Sequence, residues 1–226
     1  DLSEDYGRDK IITYLNSDTF TVVSDFFFDD FSSMKGWTGI GEGGWNIAPI
    51  TVANNCDGIY LNPTEDYSPF STDNYILGTY IGDCYENNMD KMYYFASPWI
   101  NCEEVEEVKV SFYSHSAFES PNDEAILQVF DGIQWNTIYS NQITPIQENS
   151  WTLKTFDVSA YADKNNNFKI RFGIGPTDAT GRYKGWRIDD FSIVGKKQLI
   201  CYDSVMQVVN VNPLPIADAG ANQTIC

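Results

Sequence analysis

One histidine, His115, stands in a chain of 226 residues, and no serine sits in a Gly-x-Ser-x-Gly turn. A Ser-His-Asp hydrolase is therefore excluded. Zinc is excluded on the same ground. The five cysteines, Cys56, Cys84, Cys102, Cys201 and Cys226, show none of the close paired spacing of zinc sites, and one imidazole cannot complete a cluster. Basic residues are scarce: 14 Lys and Arg face 32 Asp and Glu, a net charge of -18. Such a surface repels nucleic-acid phosphates and anionic lipid, so neither is an expected partner. Long apolar runs are missing too. Ile11-Ile12 and Phe26-Phe27-Phe28 are soon broken by polar or charged residues, which leaves no transmembrane helix and no membrane insertion. The residues after Asp1 are acidic rather than basic-then-apolar, so no signal peptide is read and the chain is expected to be a mature form or a piece. No phosphate-cradling glycine loop precedes a helix. "GIGEGG", Gly39 to Gly44, lies between two tryptophans and reads as a turn or loop.

Aromatic side chains are abundant, at 15% of the residues, and supply enough apolar area for a sizeable core. Alternation of apolar and polar residues dominates. "EVEEVKVSFYSHS", "EAILQVFDGIQWNTIYS", "SWTLKTFDVSAY", "NNFKIRFGIGP" and "GWRIDDFSIVG" each read as strands bounded by turn residues. Asp131-Gly132 suits the tight connection of a hairpin. Repeated strands and turns of this spacing predict an all-β antiparallel two-sheet sandwich. Residues 54–92 are rich in Asn, Asp, Tyr and Gly and read as short strands under long loops. Beyond Gly195 one further strand, Ser204 to Val211, precedes a proline-punctuated linker, so three regions are expected: 1–24, 25–197 and 198–226.

Two questions of chemistry stand out. Asp189 and Asp190 are adjacent in a strand that should bury Ile188, Phe191 and Ile193, and neighbouring strand residues point to opposite faces. One of the two carboxylates is thus expected to face inward or a sheet edge, where it needs a partner: a cation, Arg171, Lys184, Arg187 or backbone N–H groups. Hard oxygen ligands in so acidic a chain make calcium a candidate. Trp37, Trp45, Trp99 and Trp186 are expected in the core rather than on a sugar-stacking surface. Among the cysteines, Cys56, Cys84 and Cys102 are disulfide candidates if the chain is exported, and buried thiols if it is not. Paired carboxylates of the glycosidase kind are too common here to inform, and no catalytic residue is assigned.

The ordered motifs "FFFDDFSSMKGWTGIGEGGW", "YYFASPWINCEEVEEVKVSFYSHS", "QVFDGIQWNTIYS", "WTLKTFDVSAYAD", "FKIRFGIG" and "GWRIDDFSIVG" resemble MAM-like jelly-roll modules of secreted bacterial proteins, of the choice-of-anchor J or cleaved-adhesin type, over Phe26 to Gly195. The tail "VNPLPIADAGANQTIC" resembles the junction to a PKD-like, Ig-type β repeat of Bacteroidota surface adhesins. The resemblance implies a jelly roll, export by the type IX secretion machinery and an extracellular, outer-membrane-associated location. It also implies adhesion, possible gliding motility, neighbouring repeats of the same chain as partners, and contact with polysaccharide, another cell or a solid surface. Jelly rolls of this kind commonly hold a structural calcium where first and last strands meet, which points to Asp30 and Asp190, then Asp29 and Asp189, as ligands. In "Asp203-Ser204-Val205" it implies an O-glycosylation pattern. A non-enzymatic surface adhesin is the function expected. The alternatives are a carbohydrate-binding accessory domain of a secreted hydrolase and a purely structural spacer.

Overall fold

The computed structural model describes residues 10–52, 56–57, 63–68 and 73–209. The described residues form ten strands: β1 (Lys10–Asp29), β2 (Trp45–Pro49), β3 (Tyr75–Thr79), β4 (Tyr93–Ala96), β5 (Val105–Ser114), β6 (Ala125–Phe130), β7 (Trp135–Ser140), β8 (Thr152–Asp157), β9 (Lys169–Ile174) and β10 (Arg187–Val209). One helical turn, α1 (Ser159–Ala162), links β8 to β9. β2, β3, β10, β5 and β8 lie side by side in one sheet, where β1 also pairs with β10. β4, β9, β6 and β7 form the other, and every registered pairing is antiparallel. From β3 onward the chain passes back and forth between sheets, the winding of a jelly-roll sandwich.

Period-two alternation turns Val108, Val110 and Phe112 of β5, Leu127 and Val129 of β6, Ile170 and Phe172 of β9, and Phe191 and Ile193 of β10 into one core, which Ile188 of β10 joins. Trp37 sits at its centre. Its ring stacks on Phe95 at 5.4 Å and meets Phe191 edge-on at 5.3 Å. Burying each such ring contributes about 1.5–3 kcal/mol. The three buried indole N–H groups are satisfied: Trp37 donates to Asp29 Oδ2, Trp45 to the Tyr93 carbonyl and Trp186 to the Gly173 carbonyl. That removes the penalty a buried donor would otherwise carry. Trp37, Trp45 and Trp186 are buried, whereas Trp99 is 60% exposed, because the stretch after β4 stays paired, Ile100 with Phe168, and turns Ile100 into the core and its neighbour Trp99 outward.

The Asp131-Gly132 hairpin joins β6 to β7, with Asp131 Oδ1 accepting the N–H groups of Ile133 and Gln134. Gly195 does not end the last strand. A side chain there would strike Val105 and Phe26, so glycine serves the close approach of β5 and β1 at a register shift between Val194 and Lys196. β10 then continues to Val209, and no separate strand begins at Ser204.

The chain falls into two compact units, Thr21–Gln198 and a second formed by Asp1–Phe20 with Leu199–Cys226. The expected 25–197 module lies inside the larger unit. The expected PKD-like tail from Asn210 onward lies outside the described residues, and Asp203-Ser204-Val205 falls within β10.

Candidate functional site

The paired aspartates are explained by a β-bulge. Asp190 adopts a left-handed conformation, φ 45°, and the register against β5 shifts between Asp189 and Ser192. The extra residue places Ile188 and Phe191 both in the core with two aspartates between them. Neither carboxylate therefore enters the space between the sheets, contrary to strict alternation. Asp189 is nonetheless fully buried, because the 67–68 segment covers it: Tyr67 N–H and Ser68 N–H donate to Oδ2 at 2.8 and 3.3 Å, and Asp190 N–H donates to Oδ1 at 2.8 Å. Burial pushes its carboxyl up to about 7 against the pull of those N–H donors. Asp190 accepts the Ser68 hydroxyl at 2.6 Å, and burial and the charge of Asp30 raise it.

Asp29, at the end of β1, is buried and takes N–H bonds from Phe31 and Trp37, with Lys35 at 3.5 Å. Burial raises its carboxyl, and the Trp37 bond opposes this. For Asp30, the Ser32 hydroxyl and N–H outweigh burial and lower it. Asp66 feels the charges of Asp73 and Asp190 after the effect of burial, and its Oδ2 is buried without a hydrogen-bond partner. The first and last strands thus bring acidic groups within electrostatic reach of one another. None is held by Arg187, which donates to the carbonyls of Thr79, Trp186, Tyr80 and Asp83, nor by Arg171, which lies on the other sheet. Among the described residues the one set of three carboxylates with oxygens within 4.8 Å is elsewhere: Glu119, Asp123 and Asp178. There Asp123 is already engaged by the Tyr85 hydroxyl at 2.5 Å and the Asp178 N–H at 2.8 Å.

Of the cysteine candidates, Cys56 and Cys84 form a disulfide, and Cys102 is a buried free thiol that burial pushes up to about 12. His115 is buried. Its Nδ1 lies 2.6 Å from Lys184 Nζ and its ring meets Trp151 edge-on, so it is a packing element, not an open acid or base.

A different group of side chains faces outward from the four-stranded sheet. In β4, β9 and β6 the residues alternating with the buried Phe95, Ile170, Phe172, Leu127 and Val129 are Tyr94, Lys169, Arg171, Gln128 and Phe130, and β7 adds Trp135 and Thr137. The Arg171 guanidinium lies between two rings, 3.6 Å from the Tyr94 centroid and 4.0 Å from that of Trp135. Its Nε donates to Gln128 Oε1 at 2.8 Å, and Gln128 Nε2 donates to Thr137 Oγ1 at 2.9 Å. Trp135 leans on Phe130 at 5.4 Å, Phe130 meets Trp99 at 5.8 Å, and Lys169 Nζ stands 4.6 Å over the Trp99 ring. Rings and cations thus run in one strip across the sheet, held by a hydrogen-bonded amide. Gly173 makes room for its upper end, since a side chain there would collide with Met92 and Ile126 and crowd Tyr94. Sequence reading assigned no surface role to these residues. The signal that could have found them is the phase of alternation in "YYFA", "FKIRF" and "QVFDGIQWNT".

No protein-family model matches the chain. No curated protein matches it. Among solved structures, a xylan-binding domain from CBM 22, formally x6b domain, aligns at 11% identity over 76% of this chain and 94% of that one, with a TM-score of 0.42. The xylan-binding module CBM15 aligns at 12% identity over 79% and 97%, TM-score 0.32. A mutant xylanase 10C from Cellvibrio japonicus in complex with xylopentaose aligns at 13% identity over 66% of this chain and 28% of that one, TM-score 0.25. Likeness at this level assigns neither fold nor ligand. The architecture rests on the two sheets themselves.

Proposed function

We propose that the chain is a non-catalytic carbohydrate-binding module of an extracellular protein, which holds polysaccharide against the outer face of the four-stranded sheet. The observation that carries this reading is the strip from Trp99 through Phe130 and Trp135 to Arg171 and Tyr94. Rings standing on a rigid sheet offer apolar faces for the C–H surfaces of sugars, while Gln128 and Thr137 beside them offer hydrogen bonds to hydroxyls. An exposed tryptophan costs solubility and contributes little to the core, so its place beside other rings favours a ligand. Mounted in a surface adhesin exported by the type IX route, such a face would attach a cell to a glycan. In a secreted hydrolase it would hold the enzyme to its substrate.

Trp135→Ala is expected to weaken retention in polysaccharide-containing native gels by about tenfold or more, and so is Trp99→Ala. The unfolding free energy of the Trp99 variant should stay within about 0.5 kcal/mol of the parent, since an exposed ring anchors little of the core. A parent protein that no gel in a broad polysaccharide panel retards would remove the reading and leave the structural spacer.

The repulsion of Asp190 by Asp30 and of Asp66 by Asp190, with the unpartnered Asp66 Oδ2, supports a second element of the proposal, a structural calcium ion at this corner. The donors are hard carboxylate oxygens, which fit calcium. Asp30 and Asp190 are the ligands favoured, because the oxygens of Asp29 and Asp189 are already taken by N–H donors. An ion bound only by the folded state at a hundredfold its Kd adds about 2.7 kcal/mol, several degrees of midpoint in a domain of this size. Calcium should therefore raise the midpoint, a chelator should lower it, and Asp190→Ala should respond to neither. Equal midpoints of the parent with calcium and with chelator would eliminate the ion.

A further inference from the structure

The carbohydrate-binding reading leaves one feature of the face unexplained, its charge. In a chain with 32 acidic and 14 basic residues, six described cations have a carboxylate within 4.0 Å: Lys35, Lys154, Lys164, Arg182, Lys196 and Lys197. Lys169 and Arg171 have none among the described residues, although they stand two apart on β9 and project from the same face. Both are instead set over aromatic rings.

Arg171 is the more specific of the two. Rings cover both faces of its guanidinium and Gln128 takes Nε, so the plane is fixed and the Nη edge is left for an outside acceptor. A fixed guanidinium edge matches a carboxylate, two parallel N–H donors to two oxygens, far better than it matches a single hydroxyl. A face meant only for neutral sugar would need the rings and the amide, not two cations without counter-charges.

We propose that the ligand is an acidic polysaccharide whose sugar units carry carboxylate groups, a uronate polymer, with Arg171 gripping a carboxylate in the plane of its guanidinium and Lys169 adding a second positive contact beside Trp99. This rests on the carbohydrate-binding reading of the same face. The net charge of -18 opposes a polyanion at a distance, but at physiological ionic strength charges beyond about 8 Å are largely screened. Contacts on the face itself then decide.

The experiment compares three probes at about 0.15 M salt: polygalacturonate, the same polymer fully methyl-esterified, and neutral xylan. Binding is measured by titration calorimetry with the parent protein, Lys169→Gln, Arg171→Gln and Arg171→Lys. The parent should bind polygalacturonate at least about tenfold more tightly than the ester. Arg171→Gln should abolish that preference and Lys169→Gln reduce it, while Arg171→Lys restores it only in part, because lysine keeps the charge and loses the planar fork. Raising the salt to about 1 M should weaken polygalacturonate binding and leave any binding of the ester unchanged. Equal affinity for polygalacturonate and its ester, or a preference that survives Arg171→Gln, would overturn the uronate assignment while the carbohydrate-binding reading stands. Binding to none of the three, together with none in the broader gel panel, would overturn both.

Discussion

Breaking the Cys56–Cys84 disulfide is expected to lower the unfolding free energy by about 3 to 4 kcal/mol, measured as a shift in the denaturant midpoint between oxidised and reduced protein or on Cys84→Ala. The two cysteines are 28 residues apart in sequence, and closing a loop of that length removes this much conformational freedom from the unfolded chain. The folded state adds local consequences. Asp57 donates its N–H to the Arg182 carbonyl and accepts the Arg182 N–H, while the Arg182 side chain donates to the carbonyls of Cys84 and Tyr85. The disulfide therefore pins a connecting segment to the loop that precedes β10, and both should loosen together. Cys102→Ala is the control, since that thiol is free and a reductant cannot act on it. A reduced protein that unfolds at the oxidised midpoint would show that the loop is restrained by those contacts without the bond.

Stability is also expected to rise by about 2 to 3 kcal/mol between pH 7 and pH 9, and to lose that rise on Lys184→Met. Lys184 is 2% exposed, and burial first, then the charge of Arg187, brings its ammonium down to about 7 from the ordinary 10.5, with Glu148 opposing. Nζ lies between His115 Nδ1 and the Glu148 carbonyl, both at 2.6 Å. In this range the folded protein has released a proton that the unfolded chain still binds, so the free energy of unfolding climbs by at most 1.36 kcal/mol per pH unit. Of the other shifted groups Cys102 enters the window: its thiol, raised to about 12, stays protonated in the folded protein while the unfolded one begins to ionise near its ordinary 9, which trims the rise by less than about 1 kcal/mol. His115, lowered to about 4, is neutral in both states above its ordinary 6.5, and Asp189, raised to about 7, acts mainly below it. Arg187, lowered to about 9, begins to matter only at the upper end, and Tyr80, raised to about 12, acts above its ordinary 10. The methionine variant leaves two buried acceptors without their donor, so its absolute stability at pH 7 is a poor guide. The slope is the readout, obtained from denaturant curves at several pH values. A parent whose stability is flat from pH 7 to 9 would contradict a neutral buried lysine.

Sequence and structure divide this protein in a way that follows from the range of the forces. Alternation is local, so the strands carrying Phe112, Val129, Phe172 and Phe191, the hairpin at Asp131-Gly132 and the all-β class were legible from residue order alone. Strict alternation failed at Asp189-Asp190, because a bulge depends on how β10 registers against β5, and register is set by the partner strand. Gly195 looked like a terminator for a similar reason: its role, admitting Val105 and Phe26, exists only once three strands lie together. Trp99 resembles the buried tryptophans in composition, and only the pairing of Ile100 with Phe168, which turns its neighbour Trp99 outward, exposes it. The strip on the four-stranded sheet shows the same limit. Tyr94, Trp135 and Arg171 belong to three strands far apart in sequence, and their sandwich arises when β9 and β6 bring β4 and β7 to either side. Apolar patterning thus determined which residues form strands and fill the core, whereas the pairing of those strands, a long-range property, decided which polar and aromatic groups meet on a surface where they can bind.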